Sequence, residues 1–168
     1  MVKPDALELI RNRRSIREYK DKLPGDREIH DVLEAARWAP SGLNNQPWRF
    51  MVIKEKKKKD GLAQFTKYGA MVKEAPVAIA VFMDTADSYN RDKDLMAIGA
   101  SVQNLLLEAS SAGLGACWLG EITNKKEDVA KYLGAGGDLE FLALITLGYP
   151  DEALTQSYRK PLASIMIG

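Results

Sequence analysis

The run Ala39-Pro-Ser-Gly-Leu-Asn-Asn-Gln-Pro-Trp-Arg-Phe50 constrains this chain more than any other stretch. Pro40 and Pro47 fix φ and push Ala39 and Gln46 away from helical geometry, so a helix arriving there must stop. Between the prolines stand Ser41, Gly42, Asn44, Asn45 and Gln46, hydrogen-bonding side chains around a glycine that permits close backbone approach. Trp48 and Phe50 then share one face of a strand and can anchor the segment. Ordinary turns also favour Asn, Gly and Pro, so a plain helix–loop–strand connector stays open beside a ligand-binding loop.

Periodicity supplies the elements on either side. Residues 4–12 read as a first helix, with Pro4 in its first turn and Leu7, Leu9 and Ile10 as apolar contacts. Arg13 to Tyr19 leaves it with alternating character. Pro24-Gly25-Asp26 marks a turn, and Asp26 is placed to cap a helix reaching about Trp38, with Ile29, Val32, Leu33 and Ala36 on one buried face. Trp48 to Ile53 is a strand. The charge run from Lys54 to Asp60 reads as a solvated loop or helix start, because it lacks the aromatic interleaving of a nucleic-acid patch; a short helix follows to about Tyr68.

Val77 to Met83 is short and continuously apolar, as a central buried strand would be. The helix over 92–112 is apolar or small nearly all round from Leu95, with Glu108 its only charge there. Such a helix is either the spine of the core or part of a subunit interface, and Ala97, Gly99, Ala100, Ser101, Ala109 and Ser110 favour an interface. Gly113-Leu-Gly115 ends it and leads into a strand from Ala116 to Leu119. A helix capped by Thr123 or Asn124 runs to about Leu133, Gly134 to Gly137 break it, and Phe141 to Leu147 form a further buried strand. The apolar tail from Leu162 to Ile167 reads as an added strand, on this chain's own sheet or on a partner chain. Strands alternating with helices predict a three-layer α/β arrangement in one domain of 168 residues.

Composition excludes several function classes. A net charge of +1 gives no electrostatic case for nucleic acid as the main partner. The single cysteine, Cys117, excludes an intrachain disulfide framework, fits a reducing compartment, and reads as a core thiol. The N-terminus lacks an apolar signal-peptide core, and the run from Leu95 to Gly120 is too polar for a membrane span, so a soluble cytoplasmic protein is expected. His30, the only histidine, sits within a helix, which argues against a histidine-based triad or metal site. No Gly-x-Gly-x-x-Gly opens a helix and no P-loop lysine motif occurs, so a nucleotide cofactor would not be held by a Rossmann turn.

The positive chemical signal is Arg13-Arg14-Ser15-Ile16-Arg17. Three guanidinium groups and a hydroxyl within five residues suit a phosphate monoester, and Arg159-Lys160 could close on the same anion. Taken in order, Arg-Arg-Ser-Ile-Arg, Ala-Arg-Trp-Ala-Pro-Ser-Gly-Leu-Asn-Asn-Gln-Pro-Trp-Arg-Phe, Gly-Leu-Gly-Ala-Cys-Trp-Leu-Gly, Gly-Tyr-Pro and Arg-Lys-Pro-Leu resemble the FMN-dependent nitroreductase family over essentially the whole chain.

That resemblance implies a mixed central sheet flanked by helices, with the C-terminal tail packed on a partner subunit. It also implies a homodimer holding two FMN molecules at its interface and using NADH or NADPH as electron donor. By position it assigns Arg13 and Ser15 to the phosphate and ribityl end, with Arg14 beside them and Arg17 near the pyrimidine N1/O2 edge. Pro40, Ser41, Gly42 and Asn44 would come from the other subunit. Trp118, Leu119 and Gly120 would run along the isoalloxazine with backbone N–H groups toward N5 and O4, and Arg159 and Lys160 would complete the phosphate clamp. No metal is implied.

The expected reaction is ping-pong transfer of hydride to an oxidised small molecule such as a nitroaromatic, quinone or enone, with no side-chain acid or base required. Rivals are a flavin-binding or storage protein without turnover, a specialised activity such as reductive dehalogenation, and a nucleic-acid protein acting through Lys56 to Lys59. Two departures stand out. Glu121 occupies a position where small family members often carry a second glycine, and residues 61–73 align poorly.

Overall fold

A computed structural model describes residues 5–153 and 156–167. In chain order the elements are α1 (Ala6–Asn12), α2 (Asp26–Arg37), β1 (Trp48–Ile53), α3 (Lys56–Leu62), α4 (Gly69–Glu74), β2 (Val77–Asp84), α5 (Arg91–Ser111), β3 (Gly115–Leu119), α6 (Lys126–Leu133) and β4 (Leu139–Gly148). The strands form one sheet of order β1-β2-β4-β3. Every pairing between them is antiparallel, and the parallel component of the expected mixed sheet is a single bridge, Ser15 to Ala116, beside β3.

The three expected layers are present, and strand alternation builds them. Val77, Ile79, Val81 and Met83 of β2 point to one side, against Ile29, Val32 and Ala36 of α2 and Ile98, Val102 and Leu105 of α5. Ala78, Ala80 and Phe82 point to the other, against Leu62 of α3, Val72 of α4 and Val129 of α6. β2 is buried over nearly its whole length, as its unbroken apolar run requires. Opposite the Val81/Phe82 step β4 skips Leu142, a bulge that brings Ala143 to the α2–α5 side and Phe141 edge-on to Phe82.

Several expectations change on contact with tertiary structure. The cap of α2 is Gly25, whose N–H donates to Glu28 Oε2 at 2.7 Å; Asp26 is the first helical residue and pairs with Lys54. The helix expected from Thr123 or Asn124 becomes α-helical only at Lys126, after a 3₁₀ turn over Glu121–Lys125 in which the Thr123 hydroxyl donates to the Gly120 carbonyl at 2.6 Å. The helix expected to reach Tyr68 is broken into α3, a 3₁₀ turn over Ala63–Phe65, and α4.

One lysine of the charge run is not solvated. Lys59 is buried, and its ammonium donates to the Ala75 and Pro76 carbonyls at the C-terminal end of α4. There the aligned peptide dipoles favour a cation, although burial lowers the lysine's pKa.

α5 divides its faces. Ala97, Ser101, Leu105 and Ala109 are buried, and the Ser101 hydroxyl and Asn104 amide donate to the Ala36 and Ala35 carbonyls at 2.9 and 3.1 Å. The interface expected for its small residues is thus partly a contact with α2 inside the chain. Met96 and Gln103 stay exposed on the opposite face, flanked by half-buried Gly99, Ala100 and Leu107.

Two further apolar surfaces stay exposed among the described residues. Leu7 and Ile10 of α1 are about half exposed; Pro4, expected in the first turn, lies outside the described residues. The tail is an exposed coil with a 3₁₀ turn at Leu162–Ser164, presenting Leu162, Ile165, Met166 and Ile167 to solvent, so it adds no strand to its own sheet. Among the described residues, no helix is long and apolar enough to cross a membrane.

Candidate functional site

The arginine-rich segment docks onto the β3 edge of the sheet. The Ile16 N–H donates to the Ala116 carbonyl at 3.0 Å, Tyr19 bridges Pro150, and Lys20 N–H donates to the Tyr149 carbonyl at 2.9 Å. Ile16 is buried over Gly115, where a Cβ would come within 2.6 Å of the Ile16 Cβ. The Tyr19 hydroxyl lies 2.8 Å from Thr146 Oγ1, and burial raises its pKa far above the ordinary tyrosine value. Glu152 closes the far side by accepting the N–H groups of Arg17 and Glu18. The backbone of residues 13–19 is therefore fixed by the sheet.

This docking concentrates positive charge. Arg13 has its pKa lowered first by burial and then by the neighbouring Arg159 and Arg14. Among the described residues Arg13 makes no salt bridge. Arg159 donates to neutral oxygens, including the Tyr158 carbonyl at 2.8 Å, and Arg14 to the Arg11 and Arg13 carbonyls at 2.6 and 3.0 Å. Guanidinium groups gathered this closely repel one another, and a bound anion relieves that repulsion. Lys160 is exposed, and no described contact draws it into the group.

Beside this cluster a cavity of about 210 Å³ runs along the end of β3, lined by Cys117, Trp118, Leu119 and Gly120, by Tyr68 and Met71, and by the charged residues Arg17 and Glu121. Arg17 Nη1 donates to the Ser15 carbonyl at 3.2 Å. Cys117 is buried, and burial raises its thiol pKa, with Arg17 and Arg13 opposing; it is a packed thiol that also forms the cavity floor. Because Ala116 faces the Ser15 segment, strand alternation directs the Trp118 backbone the same way and turns the Leu119 N–H toward Leu144 of β4. Of the three N–H groups expected to face a ligand, the Leu119 one is thus committed to the sheet.

The loop between the prolines is shaped elsewhere. Leu43, Asn44 and Gln46 have φ of 55°, 56° and 48°, a left-handed conformation unusual for residues other than glycine. Two supports hold it. Ser41 Oγ accepts the Gln46 N–H at 3.0 Å, and Asn45 Nδ2 donates to Asp94 Oδ1 at 2.8 Å and to the Asp87 carbonyl at 3.0 Å. Asp94 is wholly buried and also accepts from Ser88 Oγ at 2.6 Å. Burial alone would raise its pKa, but the hydrogen bonds from Ser88, Asn45 and the backbone outweigh it, and the carboxyl titrates below its usual range. Gly42 packs so closely on Tyr89 that a Cβ would sit 1.8 Å from the Tyr89 hydroxyl. The result is a rigid loop that presents Leu43, 85% exposed, and Asn44 to the outside.

The two halves of the expected site do not meet within one chain. Pro40–Asn44 lead into β1 at one edge of the sheet, and Arg13–Arg17 lie along β3 at the other. Three strand spacings separate the edges by about 14 Å. The halves also lie at opposite ends, since Trp48 faces Met83, which faces Glu140, whereas Ala116 faces Leu147. A larger cavity, about 530 Å³, lies between α2 and β1 and includes Asn45 and Gln46 but none of residues 13–17 or 118–121; its arginines are already paired, Arg37 with Glu34 and Arg49 with Asp84 and Asp87.

Sequence reasoning missed three contributors: Tyr68 and Met71 as a cavity wall, Thr66, whose hydroxyl donates to Glu121 Oε2 at 2.7 Å, and the Asn45–Asp94 support. Each depends on contacts between distant residues, and the signals in the sequence were the odd glutamate at position 121 and the poorly aligned stretch 61–73. Among the described residues, no group of three or more His, Cys, Asp or Glu could hold a metal ion, and His30 is exposed on α2.

Comparison with known proteins gives consistent results. The profile of the Nitroreductase family matches residues 10–69 and 64–149. A crystal structure from Desulfovibrio desulfuricans, provisionally named a nitroreductase and solved in complex with FMN, superposes with a TM-score of 0.93 at 46% identity, covering 96% of this chain and 95% of that one. A Methanothermobacter thermautotrophicus protein, provisionally named NADH dehydrogenase/NAD(P)H nitroreductase, is 36% identical over 89% of this chain and 80% of its own. The iodotyrosine deiodinase of Thermotoga neapolitana is 26% identical over 86% and 88%.

Proposed function

The chain belongs to the nitroreductase family of oxidoreductases, and on that ground we propose that two copies of it bind FMN between them and reduce oxidised small molecules with NADH or NADPH. The observation that carries this reading is the half-buried Arg13 set beside Arg159 and Arg14, with no salt bridge from Arg13 or Arg159 among the described residues. A phosphate monoester fits that donor set, with Ser15 adding a hydroxyl. The solved Desulfovibrio relative, at 46% identity, holds FMN.

Each chain residue then has a task. Arg13 and Arg159, with Arg14 and Lys160 around them, bind the phosphate. Trp118 and Gly120 line the ring with backbone N–H groups, and Leu119 fixes the strand from within. Bound there, the flavin supplies hydride transfer at N5. Arg17 offers a fixed cation where reduction adds negative charge, which favours the reduced state. Pro40, Ser41, Gly42 and Asn44 of the second copy cover the ring. Donor and acceptor use the cavity beside Trp118 in turn, a ping-pong order, and nitroaromatics, quinones and related acceptors suit a flat stacking surface.

A second copy is supported by three features: the two half-sites lie at opposite edges of one sheet, the apolar residues of α1 and the tail are uncovered, and the loop presents Leu43 outward. The tail is proposed to pack on the partner subunit.

The test is the absorption spectrum of freshly purified protein, followed by anaerobic addition of NADH or NADPH. A yellow dimer that bleaches rapidly supports the oxidoreductase. A yellow dimer that does not bleach is a flavin-binding protein without turnover. A monomer that refuses added FMN ends the reading.

A further inference from the structure

Two features that looked unrelated along the chain, the glutamate at position 121 and the irregular stretch around residue 66, are joined by one hydrogen bond. Thr66 Oγ1 donates to Glu121 Oε2 at 2.7 Å, and the same hydroxyl oxygen accepts the Tyr68 N–H at 3.2 Å. Thr66 is thereby oriented from both sides, and it holds Glu121 in the lining of the 210 Å³ cavity that Tyr68 and Trp118 also line. Among the described residues, Glu121 Oε1 takes no further hydrogen bond and Glu121 makes no salt bridge. The other charged group lining the cavity is Arg17, which the proposed function assigns to the flavin. The Lys67 ammonium lies over the Tyr68 ring, 5.1 Å from its centroid, and Lys67 does not line the cavity.

We infer that Glu121, positioned by Thr66, is a specificity-determining residue that makes this site prefer acceptors bearing a cationic or hydrogen-bond-donating group and disfavour anionic ones. The inference rests on the cavity being the acceptor site of the proposed oxidoreductase. The physical basis is plain. A carboxylate fixed in the lining of a cavity attracts a cation and repels an anion, and its pre-organisation removes the entropy cost of ordering it. The free oxygen Oε1 is available to accept from an amidinium, ammonium or amide donor. Thr66 keeps the carboxylate from turning outward into water.

The test uses redox-inert rings of one shape and three charges, benzamidine, benzamide and benzoate, titrated calorimetrically into the FMN-loaded protein. Wild type binds benzamidine about tenfold tighter than benzoate, with benzamide between; that is the size expected for a partly exposed carboxylate acting by attraction on one probe and repulsion on the other. Glu121→Gln, which keeps the shape and loses the charge, brings the two within about twofold. Thr66→Val keeps the charge but frees the carboxylate, and leaves an intermediate ratio. The KM values of 4-nitrobenzylamine and 4-nitrobenzoate follow the same order. A benzoate affinity equal to or above that of benzamidine, no measurable benzamidine binding, or a ratio unaffected by Glu121→Gln overturns the inference. Failure of the oxidoreductase reading looks different: the protein takes up no FMN, or takes it up and is not reduced.

Discussion

Ser15 and Ala116 face each other in a parallel bridge between the segment after α1 and the edge strand β3, with the Ile16 N–H donating to the Ala116 carbonyl at 3.0 Å. That contact converts a run of arginines in sequence into a fixed cationic surface beside the cavity at Trp118. Its geometry depends on Gly115, which leaves room for Ile16.

Gly115→Ala therefore acts at a distance from any ligand. The added methyl meets a stiff β-branched side chain, and overpacking of this kind costs about 1–3 kcal/mol. Thermal melting of the variant is expected several degrees lower, and FMN retention weaker, because Arg13 and Ser15 shift with Ile16. An unaltered melting curve would show that the segment adapts without strain.

Arg13→Gln tests the anion site directly. A hydrogen bond to a charged group is worth about 1.5–3 kcal/mol, so the Kd for FMN is expected to rise roughly 10- to 150-fold. Arg159→Gln is expected to do less, because Arg159 is more exposed, and the double variant to fall short of the sum, since both cations act on one phosphate. Fluorescence titration with FMN decides. An unchanged Kd in Arg13→Gln places the phosphate elsewhere.

Arg17→Ala is expected to lower the two-electron midpoint potential of bound FMN, because the negative charge gained on reduction loses a neighbouring cation. Each 1.4 kcal/mol corresponds to about 30 mV, and a shift of that order is expected. Spectroelectrochemistry on the folded variant reads it, and an unchanged potential removes the electrostatic role.

Asp94→Asn separates support of the loop from ligand contact. Hydrogen bonds from Ser88, Asn45 and the backbone hold the folded carboxyl below its usual pKa despite burial. The stabilisation is therefore present above the unfolded value of about 4 and is lost as pH falls through the lower folded value. Wild type is expected to melt above the variant at neutral pH, with the gap closing in acid. A gap independent of pH contradicts the assignment.

Ile165→Asp in the tail tests the second copy. Burying a large apolar side chain contributes about 1.5–3 kcal/mol, and placing a charge there is more costly. Size-exclusion chromatography with light scattering is expected to show dissociation, accompanied by loss of FMN. A variant that stays dimeric and yellow shows that the tail does not carry the interface.

Much of the architecture was legible in the order of residues. Val77 to Met83 is continuously apolar because both sheet faces are covered, and that is its environment. Trp48 and Phe50 share a face, with Trp48 buried and Phe50 packed against the same cluster. The cationic segment and the polar loop stood out by residue type alone. Lys59 did not: four successive lysines look alike in sequence, and only the carbonyls left open where α4 ends select one for burial. The Asp26 cap failed for a related reason, since Gly25 with Glu28 satisfied the helix terminus and left Asp26 to Lys54.

By itself, then, the sequence determined the four strands and the long helices α2 and α5, where the chain must turn, and which residues carry charge suited to a phosphate. Those properties arise from φ restriction, periodicity and side-chain chemistry, all of which act within a few residues. Tertiary structure alone decided the strand order that sends Arg13 and Gly42 to opposite edges, the burial of Asp94 beneath Asn45, and the meeting of Thr66 with Glu121. These are pairings across 49 and 55 residues in the last two cases. They follow from which apolar faces pack together, and no local pattern specifies that.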